Sequence, residues 1–229
     1  MSEVRDVNKQ GYNKLAPEFV EEKRITTANF HELSQDFFRY VMNSKLKKGM
    51  KVLEIGVGKG WLRKNFNWPK VDYIAVDIAE MMIKELDNTI VCSVEDMPFE
   101  DAQFDCVISS LGDPYFYKEA LVEISRVLRR DGLFLFSTPA NEWARKLRGE
   151  RIFSSFKVGN ENIETYSFTY NAKDMINLWR SCGFEPLTMQ NWYAGGIRGP
   201  ISADISKIGN SVTEVAIVTT AIFVNKKNG

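Results

Sequence analysis

The chain has 229 residues, 44% of them hydrophobic and 26% charged, which suits one sizeable α/β domain with a real core and leaves too little chain for two full domains. Lys and Arg number 30 and so do Asp and Glu, so the formal net charge is zero, without the basic excess of a protein that grips nucleic acid phosphates. Three cysteines lie far apart with no Cys-x-x-Cys pair, and His31 is the one histidine, so no metal site is expected and the thiols read as reduced core residues of a cytoplasmic protein. The polar residues Met1 to Gln10 do not read as a signal peptide, and no apolar run is long enough to span a bilayer.

The first fifty residues read as helical. Phe30, Leu33, Phe37, Phe38 and Val41 recur at helical spacing between Ala28 and Leu46, and Gly49 ends the region. We take residues 1–48 as an N-terminal helical cap and 49–229 as the core. A strand–helix alternation follows. Strands are expected at Lys51 to Ile55, Val71 to Val76, Thr89 to Ser93, Phe104 to Ser110 and Leu133 to Ser137. Helices are expected from Trp61, over Ala79 to Leu86 and over Lys118 to Arg130, with Asp131-Gly132 as a turn. Such alternation specifies a mostly parallel, doubly wound sheet with helices on both faces.

Beyond Ser137 the pattern changes. Residues 141–171 are aromatic and polar without clear periodicity and read as a lid insertion. Ala172 to Cys182 reads as a helix ended by Gly183, and residues 194–211 as a Gly- and Ser-rich loop. Phe184 to Tyr193 and Val212 to Val224 read as strands that can pair antiparallel at the sheet edge. The Trp143 to Arg148 stretch is a basic cluster that fits either a solvated helix face or a hold on an anionic group.

The strongest local signal is Glu54-Ile55-Gly56-Val57-Gly58-Lys59-Gly60, a glycine-rich turn at the carboxyl end of the first strand. In a doubly wound sheet that position borders the ligand crevice, and glycines let the backbone come close to a ligand. The spacing is G-x-G-x-G. Trp61 stands where the dinucleotide fingerprint has its third glycine, which argues against an NAD-dependent oxidoreductase. Asp77 ends the second strand, where a carboxylate can accept both hydroxyl hydrogens of a ribose; the competing reading is a helix cap.

Four stretches in order resemble the class I S-adenosylmethionine (SAM)-dependent methyltransferases, and within them the small-molecule "type 11" subgroup of quinone and natural-product enzymes. They are Val52 to Gly60, Ala75-Val76-Asp77-Ile78 with Met82, Glu95-Asp96-Met97-Pro98-Phe99 running into Phe104 to Ser110, and Glu123 to Gly132. The resemblance implies a Rossmann-like seven-stranded sheet, mostly parallel with an antiparallel C-terminal strand. It implies that SAM is the cofactor, S-adenosylhomocysteine its product, and a small molecule the acceptor. Gly56, Val57 and Gly58 would face the cofactor by their backbone, with Glu54 fixing their loop. Asp77 would hold the ribose, and Ile78 and Met82 would sandwich the adenine. The backbone at Ser109 and Ser110 would meet the methionine part, and Tyr12 would close over the cofactor from an N-terminal helix. Ser93 stands where family members carry an aspartate for the adenine amino group, a neutral acceptor in place of a charged one. Val94 and Glu95 are expected to compensate.

A general base is not identified by the sequence. His31, Asp113 and Tyr115 are the candidates. The competing readings are a structural histidine and a turn at Asp113-Pro114. The expected activity is methyl transfer to an oxygen or nitrogen, less readily a carbon, of a small acceptor by direct displacement, in a monomer or homodimer. The alternatives are a non-catalytic SAM-binding protein on the same fold and an RNA or protein methyltransferase.

Overall fold

The structure is a computed structural model that describes residues 2–20, 24–208 and 214–227. Two helices, α1 (Ser2–Leu15) and α2 (Ile25–Tyr40), precede the sheet, and a single wide helical turn, Val41–Lys45, extends α2. Five strands follow: β1 (Lys51–Ile55), β2 (Asp72–Asp77), β3 (Thr89–Val91), β4 (Phe104–Ser109) and β5 (Leu128–Pro139). They are interleaved with α3 (Trp61–Asn65), α4 (Glu80–Ile83) and α5 (Lys118–Val127). The C-terminal part holds α6 (Asn141–Arg148), β6 (Phe153–Val158), β7 (Glu161–Tyr166), α7 (Ala172–Ser181), β8 (Phe184–Tyr193), α8 (Ala203–Ser206) and β9 (Ala216–Asn225).

Seven strands form one sheet in the order β3-β2-β1-β4-β5-β9-β8. β1 to β5 run parallel, and β9 runs antiparallel to β5 on one side and to β8 on the other. This is the Rossmann-like, doubly wound arrangement. Period-two side-chain alternation divides the core between the faces. Leu53, Ile55, Phe134 and Phe136 point to the layer of α5 and α7, with Leu121, Ile124 and Trp179. Val52, Cys106, Ile108 and Leu135 point to the layer of α2 and α3, with Phe37, Phe38 and Leu62. β9 is buried along its whole length because it is covered on both faces and paired on both edges.

Several local expectations are corrected. The helix expected to reach Arg130 stops at Val127. Leu128 instead pairs with Phe104, and Asn225 Nδ2 donates to the Leu128 carbonyl at 2.9 Å. The helix expected over Ala79 to Leu86 is a single turn, Glu80–Ile83. The aperiodic stretch 141–171 contains α6 and the antiparallel hairpin β6–β7. The loop at 194–211 carries a short 3₁₀ turn, Ala194–Gly196, and α8, and its residues 209–211 lie outside the described residues. The last strand begins at Ala216; Val212 and Thr213 also lie outside the described residues.

The hairpin lies against the N-terminal helix. Asn8 of α1 is buried; its Oδ1 accepts from Tyr166 N at 2.7 Å and its Nδ2 donates to Pro114 O at 2.9 Å. Asn13 Oδ1 accepts from Met81 N at 2.9 Å, which serves the uncapped start of α4. Helix α1 thus ties the hairpin, the turn after β4 and α4 together, above the carboxyl ends of the parallel strands. Among the described residues no helix is long and apolar enough to cross a membrane.

Candidate functional site

A cavity of about 620 Å³ lies between the carboxyl ends of β1, β2 and β4 and the cover made by α1, the start of α2, α6 and the hairpin. Such a crevice is where open α/β sheets bind ligands, and its volume is in the range of small-molecule sites.

The floor is the glycine turn. Gly56 and Gly58 have φ of 62° and 52°, the left-handed region that a side chain disfavours. A Cβ built at Gly58 meets nothing within 4 Å, so the backbone there faces open space. At Gly56 the same atom lies 2.7 Å from the Tyr115 ring, so the glycine admits that tyrosine. Glu54, 2% exposed, accepts from the Tyr73 hydroxyl at 2.6 Å and lines the floor with Val57.

Asp77 closes β2 beside this turn. Its Oδ2 accepts from Gly58 N at 2.9 Å and its Oδ1 from Ala79 N at 2.8 Å, so both oxygens are held by backbone amides. Burial raises its pKa, and those amide hydrogen bonds oppose the rise. Ile78, Met82, Ser93 and Val94 continue the wall, and Ser93 Oγ accepts from Glu95 N at 3.3 Å. Two expected contacts fall outside the lining. Glu95 turns away to accept from the Tyr117 hydroxyl at 2.5 Å, and Ser109, fully buried, hydrogen-bonds the Tyr115 hydroxyl beneath the surface. Ser110, expected with it, does reach the cavity, as does Leu111. Leu111 holds a φ of 59°, fixed by Leu111 N donating to Ser137 Oγ at 3.1 Å.

The three candidate bases all line the cavity and differ in chemistry. His31 is stacked on Trp61 at 3.9 Å between ring centroids, and burial lowers its pKa to about 3, so the imidazole is neutral. Tyr115 is half-buried and donates to the Ile55 carbonyl at 2.9 Å, and desolvation pushes its phenol well above its ordinary value. Asp113 is 7% exposed; burial raises its pKa to about 6 against the pull of the Ser167 hydroxyl and the Arg148 guanidinium. Arg148 is itself placed by Ser154 Oγ at 3.1 Å and Ser167 O at 2.9 Å. The basic cluster therefore divides: Arg148 turns into the cavity, and Arg145 pairs with Glu150 outside.

Tyr12 lines the cavity from α1, 6.2 Å from the Phe156 ring of the hairpin, and burial raises its pKa. Trp61, Arg24, Thr26, Thr27 and Arg151 also line it and were missed by sequence reasoning. For Trp61 the signal was present, since a bulky residue directly follows the glycine turn. The others belong to segments whose contact with the sheet is made only by folding.

These features suit SAM. The turn leaves backbone open at Gly58, Asp77 offers a fixed carboxylate, and Ile78, Met82 and Val94 give an apolar wall. Three enclosed polar atoms of lining residues, Arg24 Nε, Ser110 Oγ and Trp143 Nε1, have no hydrogen-bond partner among the described residues. Fold and site together define a Rossmann-like nucleoside-cofactor protein of the methyltransferase kind.

Comparison with known proteins gives the same class. Residues 53–136 match the family described as "Methyltransferase domain". Among curated relatives, the chain is 30% identical over 171 residues to the uncharacterized protein MJ1252 of Methanocaldococcus jannaschii, an alignment covering 64% of this chain and 66% of that protein. It is 27% identical over 183 residues to the ubiquinone/menaquinone biosynthesis C-methyltransferase UbiE of Pseudomonas fluorescens, covering 66% and 72%. The solved structure described as "Complex between the Haloferax volcanii Trm112 methyltransferase activator and the putative methyltransferase" shares the fold with a TM-score of 0.66 at 15% identity, covering 94% of this chain and 98% of that one. Residues 53–136 are thus the stretch that matches the methyltransferase domain, and the chain is similar to proteins named as methyltransferases.

Proposed function

We propose that the chain transfers the methyl group of SAM to a nucleophilic oxygen or nitrogen of a small molecule by direct displacement. The observation that carries this reading is Asp77: a carboxylate at the end of β2, held at both oxygens by backbone amides and facing the cavity beside an open glycine turn. Asp77 is the ribose acceptor, Ile78, Met82 and Val94 flank the adenine, and the Gly56–Gly58 backbone follows the rest of the cofactor. Ser93 contributes a neutral acceptor at the adenine edge.

When bound, SAM supplies a methyl group activated on a positively charged sulfur. What the protein adds is position and exclusion of water. Holding the acceptor in line is worth on the order of 7–11 kcal/mol of barrier. The aromatic residues Phe30, Trp143, Phe153 and Phe156, with Leu111 and Leu147, line the part of the cavity away from Asp77 and suit an apolar or aromatic acceptor. Asp113 is the residue that takes a proton where the acceptor has one to lose. With a pKa of about 6 it is ionised at neutral pH and still a stronger base than an ordinary aspartate. Residues 1–48 act as a cap and 141–171 as a lid on the core 49–229.

The test is calorimetric titration of SAM into the wild type and Asp77→Ala. Binding to the wild type and a loss of about hundredfold or more in the variant is expected, since two charge-assisted hydrogen bonds are removed. Near-normal affinity of the variant removes the ribose role. Methyl transfer is then read on a panel of phenols, amines and carboxylic acids.

A further inference from the structure

Arg24 stands at the N-cap of α2, and its side chain reaches the cavity together with Ile25, Thr26 and Thr27 of the first helical turn. The guanidinium carbon lies 5.3 Å from the Phe19 ring centroid and 5.6 Å from that of Phe156, so two aromatic faces fix its plane. The Nε atom is enclosed and has no hydrogen-bond partner among the described residues. Glu18 is the acidic group whose field reaches Arg24, yet among the described residues no carboxylate makes an ion pair with it. Of the other lining arginines, Arg5 is paired with Asp6, Arg151 is paired with Glu164, and Arg148 hydrogen-bonds Ser154 and Ser167. A positioned guanidinium with an enclosed, unsatisfied N–H is costly unless something else completes it.

The helix end adds to this. No side chain caps α2, and the first N–H groups of any helix lack intrahelical partners and carry partial positive charge. One turn further along α2, Phe30 packs edge-on against Trp143 at 4.9 Å. Trp143 is 7% exposed, lines the same cavity, and holds its Nε1 donor without a partner. Asp204 also lines the cavity; it accepts from Thr26 Oγ1 at 3.4 Å and pairs with Lys207 at 3.0 Å. The helix end, the guanidinium and the indole thus all present donors to the same cavity.

We infer that Arg24 and the N-terminal turn of α2 form an oxyanion subsite of the cavity, which takes a carboxylate or phosphate carried by a small molecule. The inference rests on the methyltransferase reading only for the two sources it distinguishes: the amino-acid carboxylate of SAM, and an anionic group of the acceptor. Arginine suits either because its planar fork matches both geometries.

The experiment compares wild type, Arg24→Gln and Arg24→Lys in two arms. In the first, SAM and 5′-methylthioadenosine, which lacks the amino-acid part, are titrated by calorimetry. In the second, stabilisation by inorganic phosphate and by acetate is read from thermal unfolding, with and without S-adenosylhomocysteine. Loss of about tenfold or more in SAM affinity for Arg24→Gln, with methylthioadenosine unchanged and partial recovery in Arg24→Lys, supports the subsite and assigns it to the cofactor. Unchanged SAM affinity with loss of the anion-induced stabilisation supports it and assigns it to the acceptor. If Arg24→Gln leaves both arms unchanged, or weakens SAM and methylthioadenosine equally, the subsite is overturned. Failure of the wild type to bind SAM would sink the methyltransferase reading, while the anion arm still tests Arg24.

Discussion

Asp113 shows how one buried carboxylate couples stability to function. Its folded pKa is about 6, against about 3.9 in an unfolded chain. Between those values the folded state binds more protons than the unfolded state, so stability from this group is full below about pH 4 and falls as pH rises to about 6. Asp113→Asn keeps an acceptor for Ser167 and removes the buried charge. At pH 7.5 it should be more stable than the wild type by on the order of 2 kcal/mol, and its stability should lack the decline between pH 4 and 6, as read by urea denaturation across pH. If Asp113 accepts the proton, the same variant loses activity on protonated acceptors and the wild-type rate rises through about pH 6. His31 gives the contrast. It is one of three candidate bases in the sequence, but it lies stacked on Trp61 and burial leaves it neutral with a pKa of about 3.

At the scale of elements, the cover of the cavity depends on how closely α1 approaches β7. A Cβ placed on Gly11 would lie 2.6 Å from Thr165 Cγ2 and 3.3 Å from Ile163 Cγ2. Gly11→Ala therefore sets a gain in helix propensity of about 1 kcal/mol against a contact that forces the two elements apart. The contact should dominate: the variant is expected to unfold at lower denaturant than wild type and to bind SAM more weakly. In a Thr165→Ser background, where the clashing methyl is gone, Gly11→Ala should recover most of both. A double-mutant cycle with no coupling between the sites would show that this approach does not set the position of α1. The hairpin itself was not legible. Its strands alternate only weakly, and β7 buries residues because α1 covers it, a partner more than a hundred residues away in sequence.

Across the whole molecule, the aromatic layer on one sheet face joins the N- and C-terminal halves. Phe136 of β5 packs on Phe116 at 4.7 Å, on Trp179 of α7 at 5.7 Å and on Phe223 of β9 at 5.9 Å. It is fully buried, so Phe136→Ala should cost about 3–5 kcal/mol in urea unfolding monitored by circular dichroism. A smaller loss would mean that the layer repacks. The parallel strands were legible because each is a short apolar run closed by turn residues, and the glycine turn because its spacing is local. The strand order at the far edge was not. Nothing within the run from Ala216 to Asn225 says that it enters between β5 and β8 and not outside them; the buried pairing on both of its edges decides that.

The sequence by itself determined the sheet class, the glycine turn with Asp77 at the next strand end, and through the order of its motifs the resemblance to methyltransferases. Each of these is encoded in contiguous residues, where periodicity and spacing act directly. Only the tertiary structure decided that Glu95 and Ser109 face away from the cavity, that Arg148 turns in, and that Arg24 and the start of α2 meet the same space. Those outcomes depend on desolvation and hydrogen bonding between segments far apart in the chain, which no local pattern specifies.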